Sequence, residues 1–159
     1  MKPMFLRPAD LADAQAITDI FISCRELHLP YARSPHSAEQ TLCWVREHLI
    51  PGGGVTVAQL GNEAVGFMAT SRGDECAWID QMYLKPGFLR QGIGAVLMSH
   101  ALKALAVPIR LHTFQENHGA RRFYERHGFQ AVRLTDGQAN EEQCPDVLYE
   151  RVIGLSTVD

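Results

Sequence analysis

Apolar residues recur along this chain with two periods, and each change of period marks an element. Met4–Arg7 reads as a short strand. Asp10 then precedes Leu11, Ala14, Ile17, Phe21 and Cys24, a stripe at helical spacing behind an N-cap residue. Leu29-Pro30 ends that helix, and His28–His36, which carries Pro30, Tyr31, Arg33 and Pro35, reads as a loop. Ser37 followed three residues on by Gln40 forms a capping box and starts a second helix through Trp44, Val45 and Leu49. Pro51-Gly52-Gly53-Gly54 breaks it. Val55–Leu60 and Ala64–Ser71 predict two strands around the hairpin signal Gly61-Asn62, and Arg72-Gly73-Asp74 turns into the strand Cys76–Leu84. Ile93, Val96, Leu97, Ala101, Ala104 and Leu105 predict a helix that closes at Val107-Pro108. Ile109–Phe114 is the next strand, parallel to Cys76–Leu84 if the helix between them is an ordinary right-handed crossover. Asn117 caps a short helix with the stripe Ala120, Phe123, Tyr124 and His127, and Gly128 ends it. Phe129–Leu134 and Val147–Val152 close the chain around the polar loop Thr135–Asp146.

The resulting order is βααβββαβαββ. Hairpin strands come first and crossover units second, so the expected class is α/β with a mixed sheet and helices on both faces. With 159 residues, 46% of them hydrophobic, the chain is expected to form one domain over residues 1–159. A net charge of −3 and a pI near 6.1 argue against a nucleic-acid partner. No apolar run is long enough to cross a membrane, and the first ten residues do not read as a signal peptide. Cys24, Cys43, Cys76 and Cys144 lie far apart, without a CxxC pair, so no metal site and no disulfide framework is indicated. A reducing cytoplasm is the expected compartment.

Candidate chemistry centres on Asp80–Ala106, which reads as strand, short loop, glycine pair and helix. Gly92 and Gly94 stand at the helix start, where glycine lets a bulky ligand approach the backbone. The first helical amides have no acceptor inside the helix, and with Arg90 beside them they suit a phosphate. A dinucleotide fingerprint would need a third glycine at Leu97, and a P-loop would need Gly-Lys-Ser/Thr, which is absent.

The run Leu89-Arg90-Gln91-Gly92-Ile93-Gly94 resembles the Arg/Gln-x-x-Gly-x-Gly/Ala motif of the GCN5-related N-acetyltransferase (GNAT) superfamily, with Leu89 at the position where the family usually has Arg or Gln. Glu116–Phe129 resembles the same family's second signature, N-x-x-A-x-x-F-Y-x-x-x-G-F. The resemblance is strongest over residues 76–129. It implies the GNAT fold, with the two central parallel strands splayed to hold acetyl-CoA, and no metal. The cofactor-binding residues it implies are Met82, Tyr83 and Leu84 on the strand edge, Arg90, Gln91, Gly92, Ile93, Gly94 and Ala95 at the helix start, and Asn117, Ala120 and Phe123 beyond.

The expected reaction is attack of a primary amine, on a small molecule or a peptide, on the thioester carbonyl. A backbone amide at Met82–Leu84 would stabilise the oxyanion, and Tyr124 is the expected general acid. An alkyl amine must lose a proton to attack, and Asp80 is the first candidate for the base, with His112 as the rival. Alternation places Trp78, Asp80, Met82 and Leu84 on one face of their strand, with Gln81 and Tyr83 on the other, unless a bulge resets it. Tyr31 and Arg33 in one loop, and Glu141 and Glu142 in another, are the expected acceptor-binding residues, since loops at the open end of a sheet carry specificity. The alternative is a non-catalytic acyl-CoA-binding or sensor domain on the same fold. A homodimer is left open.

Overall fold

The computed structural model describes residues 2–153, so the domain limits expected at 1 and 159 lie outside the described residues. Strands β1 (Met4–Pro8), β2 (Val55–Leu60), β3 (Glu63–Arg72), β4 (Ala77–Leu84), β5 (Ile109–Phe114), β6 (Gln130–Leu134) and β7 (Asp146–Arg151) form one sheet in the order β1-β2-β3-β4-β5-β7-β6. The helices are α1 (Ala14–His28), α2 (Ala38–Trp44), α3 (Ile93–Ala104) and α4 (His118–Arg126). This is the expected order, and each strand boundary falls within one residue of the sequence reading.

Local chemistry explains the helix starts. Asp10 caps a 3-10 turn, Leu11–Asp13, which leads into α1. The Asp13 carboxylate accepts from the Asp10 amide and from both terminal nitrogens of Arg7, at 2.7 and 2.8 Å. That tight turn swings Leu11 outward, where it is 58% exposed and not part of the expected stripe. Ser37 and Gln40 cap each other reciprocally, and a π turn over Val45–Leu49 extends α2. Along α3 the buried stripe is Ile93, Leu97, Met98 and Ala101; Val96, expected within it, is largely exposed.

Two cores sandwich the sheet. Ile17 and Ile20 of α1 and Val45 after α2 pack on Val55, Val57 and Phe67. Leu97, Met98 and Tyr124 from α3 and α4 pack on Ile79, Ile109, Leu111 and Tyr149 across the other face. Each buried side chain of this size contributes about 1.5–3 kcal/mol of hydrophobic stabilisation.

The feature that positions the site is the junction of β4 and β5. These parallel strands pair only at Ala77–Ile109 and Trp78–Arg110 and then part. Each remains fully paired on its outer side, β4 with β3 and β5 with β7. Where they part, β4 carries a bulge: Ala69 faces Gln81 while Thr70 faces Ile79, so Asp80 is an extra residue. An extra residue bends and twists its strand. It also resets the alternation. Ile79, Met82 and Leu84 all pack on the α3 side, and Tyr83 packs on the α1 side. The grouping of Trp78 and Asp80 with Met82 and Leu84 therefore fails at Asp80.

Candidate active site

The splay opens into a cleft of about 960 Å³. Its walls are Ile79–Leu84 of β4, Leu111–Phe114 of β5, the start of α3 and the inner side of α4. Beyond Trp78 the inner edge of β4 has no strand partner, so its backbone groups are available to an extended ligand.

One end of the cleft gathers free amides and positive charge. The loop before α3 holds Arg90 at φ 62° and Gly92 at φ 84°, the left-handed region. Successive amides around such residues converge into an anion-binding concavity, and α3 adds its free N-terminal amides. Gly92 is required by its backbone conformation. Gly94 is not: a Cβ there would meet the Phe123 ring at 3.5 Å and Leu84 Cδ1 at 3.9 Å, both ordinary contacts. Its smallness therefore serves the open cleft, which Gly92, Gly94 and Ala95 line. Arg90 is joined there by Arg122 and Arg126, one turn apart on α4. The sequence reading missed these two, although their i, i+4 spacing on the helix after the second motif was a usable signal. The side chains of Gln91 and Ile93 do not reach the cleft. Gln91 donates to the Gly87 carbonyl at 3.0 Å, and Ile93 belongs to the core, which leaves only their amides to a ligand. Leu89 lines the cleft and is 42% exposed. Asn117 both lines it and caps α4, accepting from the Ala120 amide at 3.2 Å; Ala120 and Phe123 complete that wall.

Tyr124 lies where α4 meets the splay. It lines the cleft yet is only 9% exposed, wedged edge-on against Phe123 and Phe129. Burial pushes its phenol above the ordinary value of 10, so it holds its proton throughout the neutral range. Asp80 is exposed on the β4 bulge. His112 is exposed as well, its ring stacked on Trp78 at 5.5 Å between centroids, and it is not a core histidine.

The splay also borders a second cavity of about 390 Å³, to which α1 contributes Arg25. Asp80, Gln81, Tyr83, His112, Thr113 and Phe114 line both cavities. The outer wall of the second comes from the β6–β7 loop, with Asn140, Glu142 and Asp146. Of the residues expected to bind an acceptor, Glu142 lines this cavity and Tyr31 the larger cleft, while Arg33 and Glu141 line neither. Glu141 instead meets His36 at 2.9 Å on the surface. The reason is local: the tight turns of the loop point successive glutamates to opposite sides. The Tyr31 hydroxyl is buried without a hydrogen-bond partner, and desolvation pushes its pKa to about 12. Among the described residues no cluster of His, Cys, Asp and Glu could hold a metal, and no helix is long and apolar enough to cross a membrane.

Comparison with known proteins places this geometry. The chain is similar in structure to Ard1 from Thermoplasma volcanium, with a TM-score of 0.75 and 20% identity over 96% of this chain and 99% of that one. It is similar to the PaiA N-acetyltransferase of Thermoplasma acidophilum in complex with coenzyme A, at 0.76 and 18% over 95% and 99%. It also resembles the ribosomal-protein-S18-alanine N-acetyltransferase of Escherichia coli, at 0.73 and 15% over 99% and 98%. At these identities the likeness establishes the fold. No curated protein sequence matches the chain. The family model of the GNAT acetyltransferases matches residues 15–129, from the first turn of α1 through both motifs to Phe129. The chain is thus an acetyltransferase of the GNAT family.

Proposed function

We propose that this enzyme moves an acetyl group from acetyl-CoA to a primary amine of a small molecule or peptide by direct attack. The observation that carries the reading is the splay, where six lining residues are shared by a cleft that suits anions and a second cavity. Acetyl-CoA is the acetyl donor of the family, and the residues present fit it. The amides around Gly92–Ala95, with Arg90, Arg122 and Arg126, suit its phosphates, and the unpaired edge of β4 at Met82–Leu84 suits its amide-bearing arm. When bound, it supplies an acetyl thioester.

The rest is the chain's own chemistry. A β4 amide at Met82–Leu84 faces the cleft as an oxyanion donor. Tyr124 carries the proton for the departing sulfur. The burial that keeps this proton in place also weakens the phenol as an acid, so its contribution is expected to be modest, about 10²-fold. Asp80 accepts the amine's proton, directly or through water, from the β4 bulge, where it lines both cavities. His112 lines both from β5 and is the second candidate for the base.

The test is release of CoA, followed with a thiol reagent, over a panel of amines and short peptides. Wild type is expected to turn over at least one of them. Tyr124→Phe is expected to lower kcat about 10²-fold with acetyl-CoA affinity unchanged. A raised phenol pKa predicts no loss of rate from Tyr124 ionisation below pH 10. Acetyl-CoA binding without CoA release for any amine would favour the non-catalytic reading, and equal kcat in Tyr124→Phe would remove the acid role.

A further inference from the structure

The second cavity is lined by a buried cation on α1, Arg25, which the sequence reading did not single out. Arg25 is only 8% exposed. Its guanidinium is held from four directions. One terminal nitrogen donates to the Tyr83 hydroxyl of β4 at 3.1 Å. The other donates to the Ala32 carbonyl, in the loop after α1, at 3.1 Å and to Glu142 Oε2 at 3.0 Å. The Phe21 and Phe114 rings flank it at 5.1 and 5.8 Å. Its Nε is buried without a hydrogen-bond partner.

An arrangement with a sealed, unpartnered donor is not the cheapest way to fill a core. Packing alone would be better served by an apolar side chain of the same length. What the guanidinium does that an apolar residue could not is tie α1, the α1–α2 loop, β4, β5 and the β6–β7 loop to a single point. All of these elements border the two cavities. The ion pair has a direction as well. Arg25 engages Oε2 of Glu142, a carboxylate only 12% exposed in its side chain. Oε1 makes no hydrogen bond to the described residues, and Glu142 lines the cavity.

Resting on the proposed acetyl transfer, with the second cavity as the place of its acceptor, we propose that Arg25 is the positioning residue there: the buried guanidinium holds Glu142 by one oxygen and leaves the other for the ammonium group of a cationic acceptor. Burial acts to lower the guanidinium pKa, and Tyr83 and Glu142 outweigh it, so the group stays charged at every working pH. Asp80 then lies toward the splay, where the amine must arrive neutral, while Glu142 lies on the outer wall. Glu142 therefore binds a charge that is retained. The class implied is a diamine, or a peptide bearing a second cation, rather than a monoamine.

The experiment compares wild type, Arg25→Met, Glu142→Gln and the double variant in two measurements. The first is KM for an α,ω-diamine, with a monoamine of equal length and acetyl-CoA as controls. Each single variant is expected to raise KM for the diamine about 10-fold, with KM for acetyl-CoA unchanged, and the double variant is expected to be no worse than Glu142→Gln alone. Additive losses, or equal losses for diamine and monoamine, overturn the proposal. The second measurement needs no activity: hydrogen exchange over residues 136–146 in the presence of acetyl-CoA. Arg25→Met is expected to speed exchange there and to leave α3 protected. Unchanged exchange in this loop overturns the positioning role, even if wild type acetylates no amine and the transfer reading has failed by itself. If Arg25→Met does not fold, Glu142→Gln, which keeps the cation and loses only the carboxylate charge, decides through the diamine-to-monoamine ratio or, without turnover, through the same exchange measurement.

Discussion

At the residue scale, small differences in side chain separate support from function. Gly92 and Gly94 look alike in the sequence and act differently in the fold. The first satisfies a left-handed backbone, and the second keeps a wall of the cleft flat. Gly94→Glu places bulk and a negative charge among amides that suit phosphate. Since acetyl-CoA stabilises by binding only the folded state, it should raise the wild-type thermal midpoint, adding about 2.7 kcal/mol of stability at 100 times its Kd. The expected result is that this shift disappears in Gly94→Glu while the ligand-free midpoint changes little, because a Cβ here makes only ordinary contacts with the Phe123 ring and Leu84. A full shift in the variant would displace the phosphate assignment. Glu141 and Glu142 make the same point for adjacent residues: one turns to the surface and His36, the other inward to Arg25.

At the scale of elements, the bulge in β4 does more than any one side chain. Asp80 is extra to the ladder, and its presence lets Ile79 and Met82, three residues apart, pack on the same face. Asp80→Asn preserves that geometry. It should lower the rate near neutral pH and recover at high pH, where an amine of pKa near 10 is already neutral. Deleting Asp80 should instead close the bulge: Gln81 and Ile79 already face successive residues of β3, so Ile79, Met82 and Leu84 keep their face while the local bend and twist of the strand are lost. The expected outcome is loss of the acetyl-CoA midpoint shift with most of the ligand-free stability retained. A deletion variant that still binds acetyl-CoA would show that the bulge does not shape the cleft.

For the whole molecule, two well-paired halves of a sheet meet at two residue pairs, so stability has to come from the helices that bridge them and from the ends. The Arg7–Asp13 pair ties the first strand to the start of α1. Its hydrogen bond to Arg7 holds the Asp13 carboxyl below the ordinary value of 3.8, against the opposing effect of burial. A depressed carboxyl stabilises the fold above the unfolded pKa, and that contribution fades as pH falls through the folded value. Asp13→Asn should therefore cost about 1–3 kcal/mol at pH 7, roughly 2–10 °C of midpoint. The gap to wild type should close below pH 3.8, which thermal melts across pH 2–7 would check. A constant gap would mean that the side chain's shape matters and its charge does not.

How much of this was legible beforehand follows from what is local. Element order, strand limits, the Ser37 capping box and the glycine-led helix start were readable, because periodicity, capping and turn chemistry act within a few residues. Both family motifs were readable for the same reason, and with them the glycine-led loop and Tyr124, which the fold brings to one cleft. Arg25 was not. Its position suits a helix stripe, and its partners Tyr83 and Glu142 lie 58 and 117 residues away. The outward turns of Leu11 and Val96, the bulge at Asp80 and the divergence of Glu141 from Glu142 were likewise hidden. Each depends on which neighbour the folded chain brings alongside, and no local pattern records it. The sequence by itself determined the elements, the helix caps and the two motifs. Only the tertiary structure decided which side chains face the splay, because that is set by register and packing between segments far apart in the chain.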